Sequence, residues 1–367
     1  MTFMILTAPS IGEPTEPLGS PGVEAARVVW ARRSFGVRVG RGVEVWPWRL
    51  SASPKSRRLG AGVIAEVRYG TAGWSFPDWY GSFYPQPKVD EGPGSLFTGV
   101  LAQEVPDVGL AKREPLRYYA RYFDVVEVNS SFYGVPRPTT SARWADLTER
   151  REGTPFLFSA KVPQTMTHQG LFSPGEVQAF RDFLAPLRDR ERLCAILAQF
   201  PGSFAWSAHA KDLLEQLREA LRDLPLVVEV RHRTWQDTSA TDFLRDQAAT
   251  LASIDMPQAR DTLPPSELVT QPELAYVRLH GRNEEAWFDA KAGRDQRYDY
   301  LYSPGELEGW ARRITTVSKL AKRTLVIANN HYRGQAPANA LELRRLGGAE
   351  GVAVPPALAE TYPRLNP

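Results

Sequence analysis

The sequence predicts an α/β protein built as a single (β/α)8 barrel of the TIM type, and three observations support this fold class. Eight short apolar runs alternate with helix-like segments, which is the element order of a parallel barrel. Several runs end in groups able to do chemistry, and these ends are spread along the whole chain, whereas a doubly wound open sheet, the alternative fold, gathers them at one switch point. The glycine fingerprint of a dinucleotide fold is absent after the first run.

The predicted strands share an apolar centre and boundaries rich in turn residues. They are Val63–Tyr69, Val125–Asn129, Phe156–Val162, Leu193–Phe200, Leu226–Arg231, Thr250–Asp255, Ala275–His280 and Thr324–Asn329. The predicted helices mostly carry an apolar stripe at helical spacing. They are Pro115–Phe123, Thr140–Arg150, Gly175–Arg188, Ala208–Asp223, Thr238–Ala249, Pro304–Leu320 and Ala336–Leu346. Ser173-Pro174 and Ser303-Pro304 are typical helix starts, because a capping residue precedes a first-turn proline.

The predicted barrel occupies residues 61–350, between a poorly or weakly ordered N-terminal extension, residues 1–60, and a C-terminal tail, residues 351–367. The extension is rich in Pro, Gly, Ser and Arg, which is typical of a disordered segment, a targeting segment, or sequence upstream of the natural start. It carries nine Lys/Arg and four Asp/Glu, so the rest of the chain has a net charge near −2. The net charge of the barrel therefore does not favour binding to duplex nucleic acid.

Cysteine usage and hydropathy predict a cytoplasmic protein with no membrane partner. Cys194 is the only cysteine, so neither an intrachain disulfide nor a zinc site of several thiolates is possible. No apolar run approaches the roughly 20 residues that a membrane-spanning helix needs.

Three residues are candidates for catalysis: Glu127, Glu229 and His280. Each glutamate stands in a strand otherwise made of valine, where poor solvation raises a carboxyl pKa towards the range suited to proton transfer. The alternative is an internal ion-pair network with Arg231 or Arg278. His280 ends the seventh strand. It could act as an acid or base, or it could have a hydrogen-bonded structural role. Two carboxylates across a barrel mouth also suggest glycoside chemistry.

Cationic and amide side chains at strand ends are candidates for substrate binding. Lys161, Arg231 and Arg278 could form a clamp for a phosphate or carboxylate, and Lys161 has three alternative roles: electrostatic stabiliser, Schiff-base amine or exposed lysine. The other candidates are Trp74, Asn129, Tyr133, His168, Gln199 and Asn329. We predict no metal ligands and no cofactor, because no tight cluster of His, Asp and Glu appears; a divalent metal is the less favoured alternative.

Two aromatic segments allow two interpretations each. The segment after the first strand, from Gly70 to Pro85, is rich in Trp, Tyr and Phe and could stack a sugar or a base or plug the barrel end. Tyr298, Tyr300 and Tyr302 alternate beside Trp287 in a long loop, which could be a lid or plain packing.

Taken in order, the motifs between residues 63 and 347 resemble the family called domain of unknown function 72, or YecE-like. They are Gly70-Thr-Ala-Gly-Trp74, Phe83-Tyr-Pro85, Val126-Glu-Val-Asn-Ser-Ser-Phe-Tyr133, Phe158-Ser-Ala-Lys161, Thr167-His168, Gln199-Phe-Pro201, Glu229-Val-Arg231, Arg278-Leu-His-Gly281, Asn329-Asn330 and Asn339-Ala340. The resemblance implies a TIM-barrel-like fold and a site at Glu127, Asn129, Lys161, His168, Gln199, Glu229, Arg231, Arg278, His280 and Asn329. It assigns no reaction, although barrels of this kind are similar to sugar isomerases and metal-dependent apurinic endonucleases.

We therefore expect an enzyme of hydrolase or lyase type that binds a small anionic or sugar-like substrate at the C-terminal face of the barrel. One alternative is a phosphodiesterase or nucleic-acid-binding protein with base-stacking aromatics. The other is a non-catalytic ligand-binding barrel. The sequence leaves the oligomeric state open.

Overall fold

The computed structural model describes residues 65–86, 106–149 and 153–366, and within them it contains a closed parallel barrel of eight strands in sequence order. The strands are β1 (Glu66–Ala72), β2 (Val125–Val128), β3 (Leu157–Lys161), β4 (Leu193–Gln199), β5 (Leu226–Glu229), β6 (Thr250–Asp255), β7 (Leu274–Leu279) and β8 (Arg323–Ala328). Strand β8 closes the barrel by pairing with β1 over six residues. The predicted fold class is confirmed, while the predicted extension, residues 1–60, lies outside the described residues.

Helices on the chain segments between strands form the outer layer. They are α1 (Pro106–Arg113), α2 (Pro115–Tyr119), α3 (Ser130–Tyr133), α4 (Pro138–Leu147), α5 (Gln164–His168), α6 (Pro174–Arg188), α7 (Ala208–Ala220), α8 (Thr238–Asp246), α9 (Glu284–Trp287), α10 (Arg294–Arg297), α11 (Pro304–Ser318), α12 (Gln335–Leu346) and α13 (Pro356–Thr361). In the described part of the chain, four 3₁₀ turns add to these at Pro77–Trp79, Arg233–Gln236, Tyr332–Gly334 and Pro363–Leu365.

The two helix starts predicted from Ser-Pro pairs are both present, since α6 begins at Pro174 and α11 at Pro304. In α11 the cap is reciprocal: the Glu306 amide donates to Ser303 Oγ, and the Ser303 amide donates to the Glu306 carboxylate at 2.8 Å. Such a capping box satisfies two amides that the helix itself leaves free. The helix therefore starts at a position fixed by local sequence.

Strand alternation divides the core into a lumen and an outer layer. Every strand contributes a buried apolar side chain to the lumen, among them Ala72, Val125, Leu157, Leu197, Val227, Ile254, Leu274 and Leu325. The residues between them, such as Val126 and Val128, pack outwards against the helices. The residues predicted as a C-terminal tail belong to this outer layer, because α13 and the turn after it bury Leu358 and Leu365 completely.

Gly70 shows how closely the barrel wall is packed. A Cβ at this position would lie 2.0 Å from the carbonyl oxygen of Val125 in β2, so only glycine allows β1 and β2 to approach this closely. The strand continues through Gly70 to Ala72, beyond the predicted end at Tyr69. This continuation brings the Gly73 amide to the Glu127 carbonyl oxygen at 2.9 Å, and so positions the loop at the barrel mouth.

Candidate functional site

The candidate residues meet at the C-terminal end of the lumen, because parallel strands bring their carboxyl ends to one face. The strand register sets Glu127 of β2 beside Ser159 of β3, and Gln199 of β4 beside Glu229 of β5. Arg278 comes from β7, on the far side of the barrel from β3. The polar layer thus rests directly on the apolar lumen, with little access for water to the carboxylates.

Arg278 is the centre of this layer and is 1% exposed. Its Nε and Nη2 donate to the two carboxylate oxygens of Glu127 at 3.0 and 2.7 Å, a bidentate pair. Its Nη1 donates to Glu229 and also to Gln199 Oε1 at 3.2 Å. Burial disfavours the Arg278 charge, but Glu127 and Glu229 outweigh it and raise the pKa of the guanidinium. Arg278 is therefore a permanent cation held by two carboxylates.

Glu127 is fully buried and accepts three hydrogen bonds. Besides Arg278 it accepts a hydrogen bond from Tyr276 Oη at 2.8 Å, and the same hydroxyl lies 2.9 Å from Ser159 Oγ. Burial raises the pKa of Tyr276 well above its usual value. The contacts of Glu127 favour a role in orienting Arg278, and its predicted part in proton transfer stays a prediction.

Glu229 is the second fully buried carboxylate. Its Oε1 accepts from Arg231 Nε and Nη2 at 3.1 and 2.9 Å. Burial raises the pKa of Glu229, yet Arg278, His280 and Arg231 together hold it well below its usual range. This group is ionised at neutral pH and cannot serve as a general acid there. The carboxyl acid of a glycosidase needs a raised pKa instead.

His280 is fully buried between Glu229 and Asn329. Its Nε2 lies 3.4 Å from Glu229 Oε1, and its Nδ1 lies 2.9 Å from Asn329 Nδ2. The carboxylate favours the tautomer with hydrogen on Nε2, so the Asn329 amide donates to Nδ1. Burial lowers the pKa of His280 to about 4 even though Glu229 raises it. The ring is neutral: Nδ1 is hydrogen-bonded to Asn329, while Nε2 faces Glu229 without a hydrogen bond among the described residues. Its predicted acid or base role stays a prediction.

Lys161 stands apart from the ion pairs. Its Nζ donates to Gln199 Oε1 at 3.0 Å and lies 4.1 Å from the centre of the Phe132 ring. The residue is 8% exposed, and no ion pair within the described part of the chain includes it. Burial and then the Arg278 charge lower the pKa of Lys161 to about 8, more than Glu127 and Glu229 raise it.

The remaining predicted binding residues lie at different depths around this cluster. Arg231 places its guanidinium 5.5 Å from the centre of the Trp287 ring. His168, on α5, is exposed, and its ring lies edge-on to Phe132 at 5.2 Å. Asn129 has a buried Oδ1 with no hydrogen-bond partner among the described residues, and its predicted ligand contact stays a prediction.

Trp74 and Tyr133 do not join the cluster. The Trp74 ring packs edge-on against Trp144 of α4 at 5.1 Å, in the outer layer. Tyr133 is 75% exposed at the end of α3. Their predicted substrate contacts stay predictions, and they depend on a ligand that extends beyond the polar layer.

His331 is a candidate that the sequence interpretation passed over. It is 4% exposed, and neither ring nitrogen has a hydrogen-bond partner among the described residues. The ring stacks on Phe76 at 4.5 Å and lies 5.4 Å from Tyr298, and burial lowers the pKa of His331 to about 4. Its position directly after Asn329 and Asn330 was the signal in the sequence, because Phe76 lies 255 positions earlier in the chain.

Most of the aromatic residues in the two aromatic segments are packed. Trp79, Phe83 and Tyr84 are fully buried in the outer core, which favours the plug over a stacking wall. In the loop before α11, Tyr302 is also fully buried, and its hydroxyl accepts from the Gly281 amide at 3.0 Å. These four rings are unavailable to stack on bases.

The carboxylates of the site do not fit a metal ion, because both are already paired with guanidinium groups. Among the described residues no group of three or more His, Cys, Asp and Glu is placed to hold one. Separately, no helix in the described ranges is both long and apolar enough to cross a membrane.

The fold and site define a parallel (β/α)8 barrel with a dehydrated charged layer at the C-terminal mouth, where barrels of this class bind their ligands. A family model described as "Protein of unknown function DUF72" matches residues 98–363. The chain belongs to this family.

Relatives support the same assignment. The chain is similar to UPF0759 protein YunF of Bacillus subtilis (strain 168), with 28% identity over 250 residues, 64% of this chain and 87% of that protein. A crystal structure of a DUF72 family protein from Thermotoga maritima MSB8 superposes with a TM-score of 0.62 at 31% identity, covering 77% of this chain and all of the other. A second, from Enterococcus faecalis V583, gives a TM-score of 0.62 at 26% identity, covering 77% of this chain and 96% of that one.

Proposed function

We propose that this barrel is an enzyme of hydrolase or lyase type that binds a small anionic or sugar-like substrate at its C-terminal mouth. The observation that carries the proposal is the charge of Lys161. The negative charges of Glu127 and Glu229 balance the positive charges of Arg278 and Arg231. The ammonium of Lys161 is therefore a positive charge that no carboxylate balances. A buried charge without a partner costs stability, and function explains why a protein keeps it.

The same layer provides a route for proton transfer. With a pKa of about 8, roughly a tenth of Lys161 is neutral at pH 7, so the amine can both donate and accept a proton near neutrality. Arg231 is partly accessible, with its side chain 15% exposed, and can hold an anionic group beside it. Cleavage assisted by proton transfer, by hydrolysis or elimination, needs no redox cofactor.

The test compares wild type with Lys161→Met, a variant of similar length without charge. Removing the uncompensated charge should raise the free energy of unfolding by on the order of 2 kcal/mol at pH 7. The melting temperature of the variant should therefore be higher than that of wild type. Since the pKa of Lys161 is lowered on folding, the penalty is complete below pH 8 and disappears as pH rises from about 8 to about 10.4. The difference in stability between wild type and Lys161→Met must therefore disappear over this pH range.

Ligand binding is measured on the same pair. Inorganic phosphate, pyruvate and gluconate should raise the melting temperature of wild type beyond sodium chloride of equal ionic strength, and Lys161→Met should lose that response. Lys211→Met, on the exposed face of α7, is the matched control and keeps it. If no anion stabilises wild type, or Lys161→Met still responds, the anionic site is refuted. A ligand that binds and is recovered unaltered supports the non-catalytic barrel instead.

A further inference from the structure

We propose that Lys161 is a nucleophilic amine that forms a Schiff base with the carbonyl carbon of a small anionic aldehyde or ketone. The inference rests on the proposed function and deepens it by naming the substrate class and the attacking atom. It begins from a shared acceptor: Lys161 Nζ and Arg278 Nη1 both donate to Gln199 Oε1, at 3.0 and 3.2 Å. Two cations thus meet at one amide oxygen.

This arrangement favours the neutral amine. A lysine becomes a nucleophile when an apolar pocket or a neighbouring cation destabilises its ammonium form, and Lys161 has both conditions. The Phe132 ring covers one side of Nζ, while Arg278 is held beside it by two carboxylates and cannot move away. The pKa of about 8 is consistent with that geometry.

Lys161 differs from the other described lysines in its burial. Those at positions 112, 211, 291, 319 and 322 are exposed, whereas Lys161 ends a barrel strand and is 8% exposed. A strand holds its side chain in a fixed direction, which is what a reacting atom requires. The burial of a lysine at this place therefore has a chemical use.

The anionic part of the substrate has a partner in Arg231. Its Nε and Nη2 are taken by Glu229, and its Nη1 makes no hydrogen bond among the described residues. Its positive charge also contributes to the lowered pKa of Lys161, so the two groups share one neighbourhood. A carboxylate or phosphate on Arg231 would present an adjacent carbonyl carbon to Nζ.

The step balances in atoms and charge. The Nζ lone pair of neutral Lys161 forms a bond to the carbonyl carbon, and the carbonyl electron pair moves to oxygen, which takes up a proton. The carbinolamine then loses the hydroxyl as water, and the nitrogen keeps one hydrogen and one positive charge. An ammonium and a carbonyl have become an iminium and one water molecule, with no oxidant or reductant.

We assign the protons of this step to His168. Its ring lies edge-on against the same Phe132 ring that covers Lys161. Although His168 is exposed in part, partial burial of its ring, and then the charges of Lys161 and Arg231, lower its pKa. The ring is therefore neutral at pH 7, and can accept a proton from the ammonium and return it to the departing hydroxyl.

The experiment traps the iminium in the full chain with sodium cyanoborohydride, using pyruvate and dihydroxyacetone phosphate as probes and acetone as the uncharged comparison. Peptide mapping by mass spectrometry should find a reduced adduct on Lys161, in excess over exposed Lys319 by roughly tenfold or more. Acetone should modify Lys161 far less than the anionic ketones. In Lys161→Arg, which keeps the charge, the adduct at this site must vanish while anion binding persists.

A second measurement is independent of the carbonyl probe. Competitive acetylation of wild type with acetic anhydride, followed peptide by peptide, reports the pH at which each amine becomes reactive. Lys161 should become reactive near pH 8, below the value of about 10.4 that is typical of model lysine amines. If Lys161 reacts like Lys319, or if neither ketone yields an adduct there, the Schiff base is overturned. Loss of the stabilisation by anions would instead refute the anion site, so the two failures are distinct.

Discussion

Each end of the barrel carries a cluster of arginine–glutamate ion pairs, and the two clusters differ in how deeply the carboxylates are buried. At the N-terminal end, Glu66 accepts from Arg68 and from Arg323 Nε, the latter at 2.6 Å, and its side chain is 31% exposed. At the mouth, Arg278 is held by two carboxylates that are completely buried. Water and salt screen the first cluster but hardly reach the second. Residues of the same types thus form a partly solvated ion-pair cluster at one end of the barrel. At the other end they form an ion-pair cluster that is shielded from water and produces a fixed electric field.

The largest difference between the ends should come from their buried arginines. Arg278→Met leaves Glu127 and Glu229 without the guanidinium that pairs them, and should cost about 3–5 kcal/mol. Arg68 is itself buried and also lies 4.0 Å from Asp124, but Arg68→Met leaves Glu66 with Arg323 and Asp124 with Arg344, and should cost about 1 kcal/mol. Thermal unfolding of both variants measures the contrast. Equal losses would show that burial of the carboxylates does not set the energetics.

An intermediate effect should come from the carboxylates. The pKa of Glu229 is held well below its usual range by charges that outweigh its burial, so its charge contributes stability above the unfolded pKa of about 4.3, lost as pH falls through the folded pKa. Glu229→Gln should therefore cost about 2 kcal/mol at pH 7. The gap to wild type should shrink below pH 4.

Glu66→Gln is the matched control at the other end, where the side chain is partly exposed, and its loss should be smaller. An amide at position 229 that melts at or above wild type would reverse the interpretation. Glu229 would then be held at a cost to stability, and its candidate catalytic role would gain support.

The smallest expected loss of stability concerns a partly exposed ion pair, and its dependence on salt distinguishes the two ends of the barrel. Arg323→Met removes a pair in which the arginine side chain is 39% exposed, and should cost about 0.5 kcal/mol in dilute buffer. The cost should fade in about 1 M sodium chloride, where screening acts within about 3 Å. The loss in Arg278→Met should stay nearly constant in the same series. A salt-sensitive mouth would mean that water reaches it.

The sequence predicted the fold more fully than the contacts of the site. Apolar alternation and turn residues are local, so all eight strands could be placed, and errors arose where a tertiary contact decides. Gly70 looked like the end of β1 because glycine usually interrupts a strand, yet here it permits close approach to Val125. Residues 351–367 were predicted only as a C-terminal tail, and there Leu358 and Leu365 are buried against the barrel.

The meeting of charged side chains at one end of the barrel was predictable, because the carboxyl ends of parallel strands converge there. Their pairing was not, since Arg278 and Glu127 are 151 positions apart in the chain. The sequence allowed either a catalytic pair or an ion-pair network, and only distances show that both glutamates are paired. Distances also show that Lys161 is left without a carboxylate, which no spacing along the chain could indicate.

Arg278 has a mechanical consequence as well as an electrical one. Its side chain starts on β7 and reaches β2, β4 and β5, so it crosses the lumen and ties together strands that share no backbone hydrogen bonds with β7. The cross-section of the mouth is therefore braced from within. Strands at this end cannot peel away one at a time without releasing the same guanidinium. Backbone amides on both sides of the barrel should exchange with solvent as one cooperative unit.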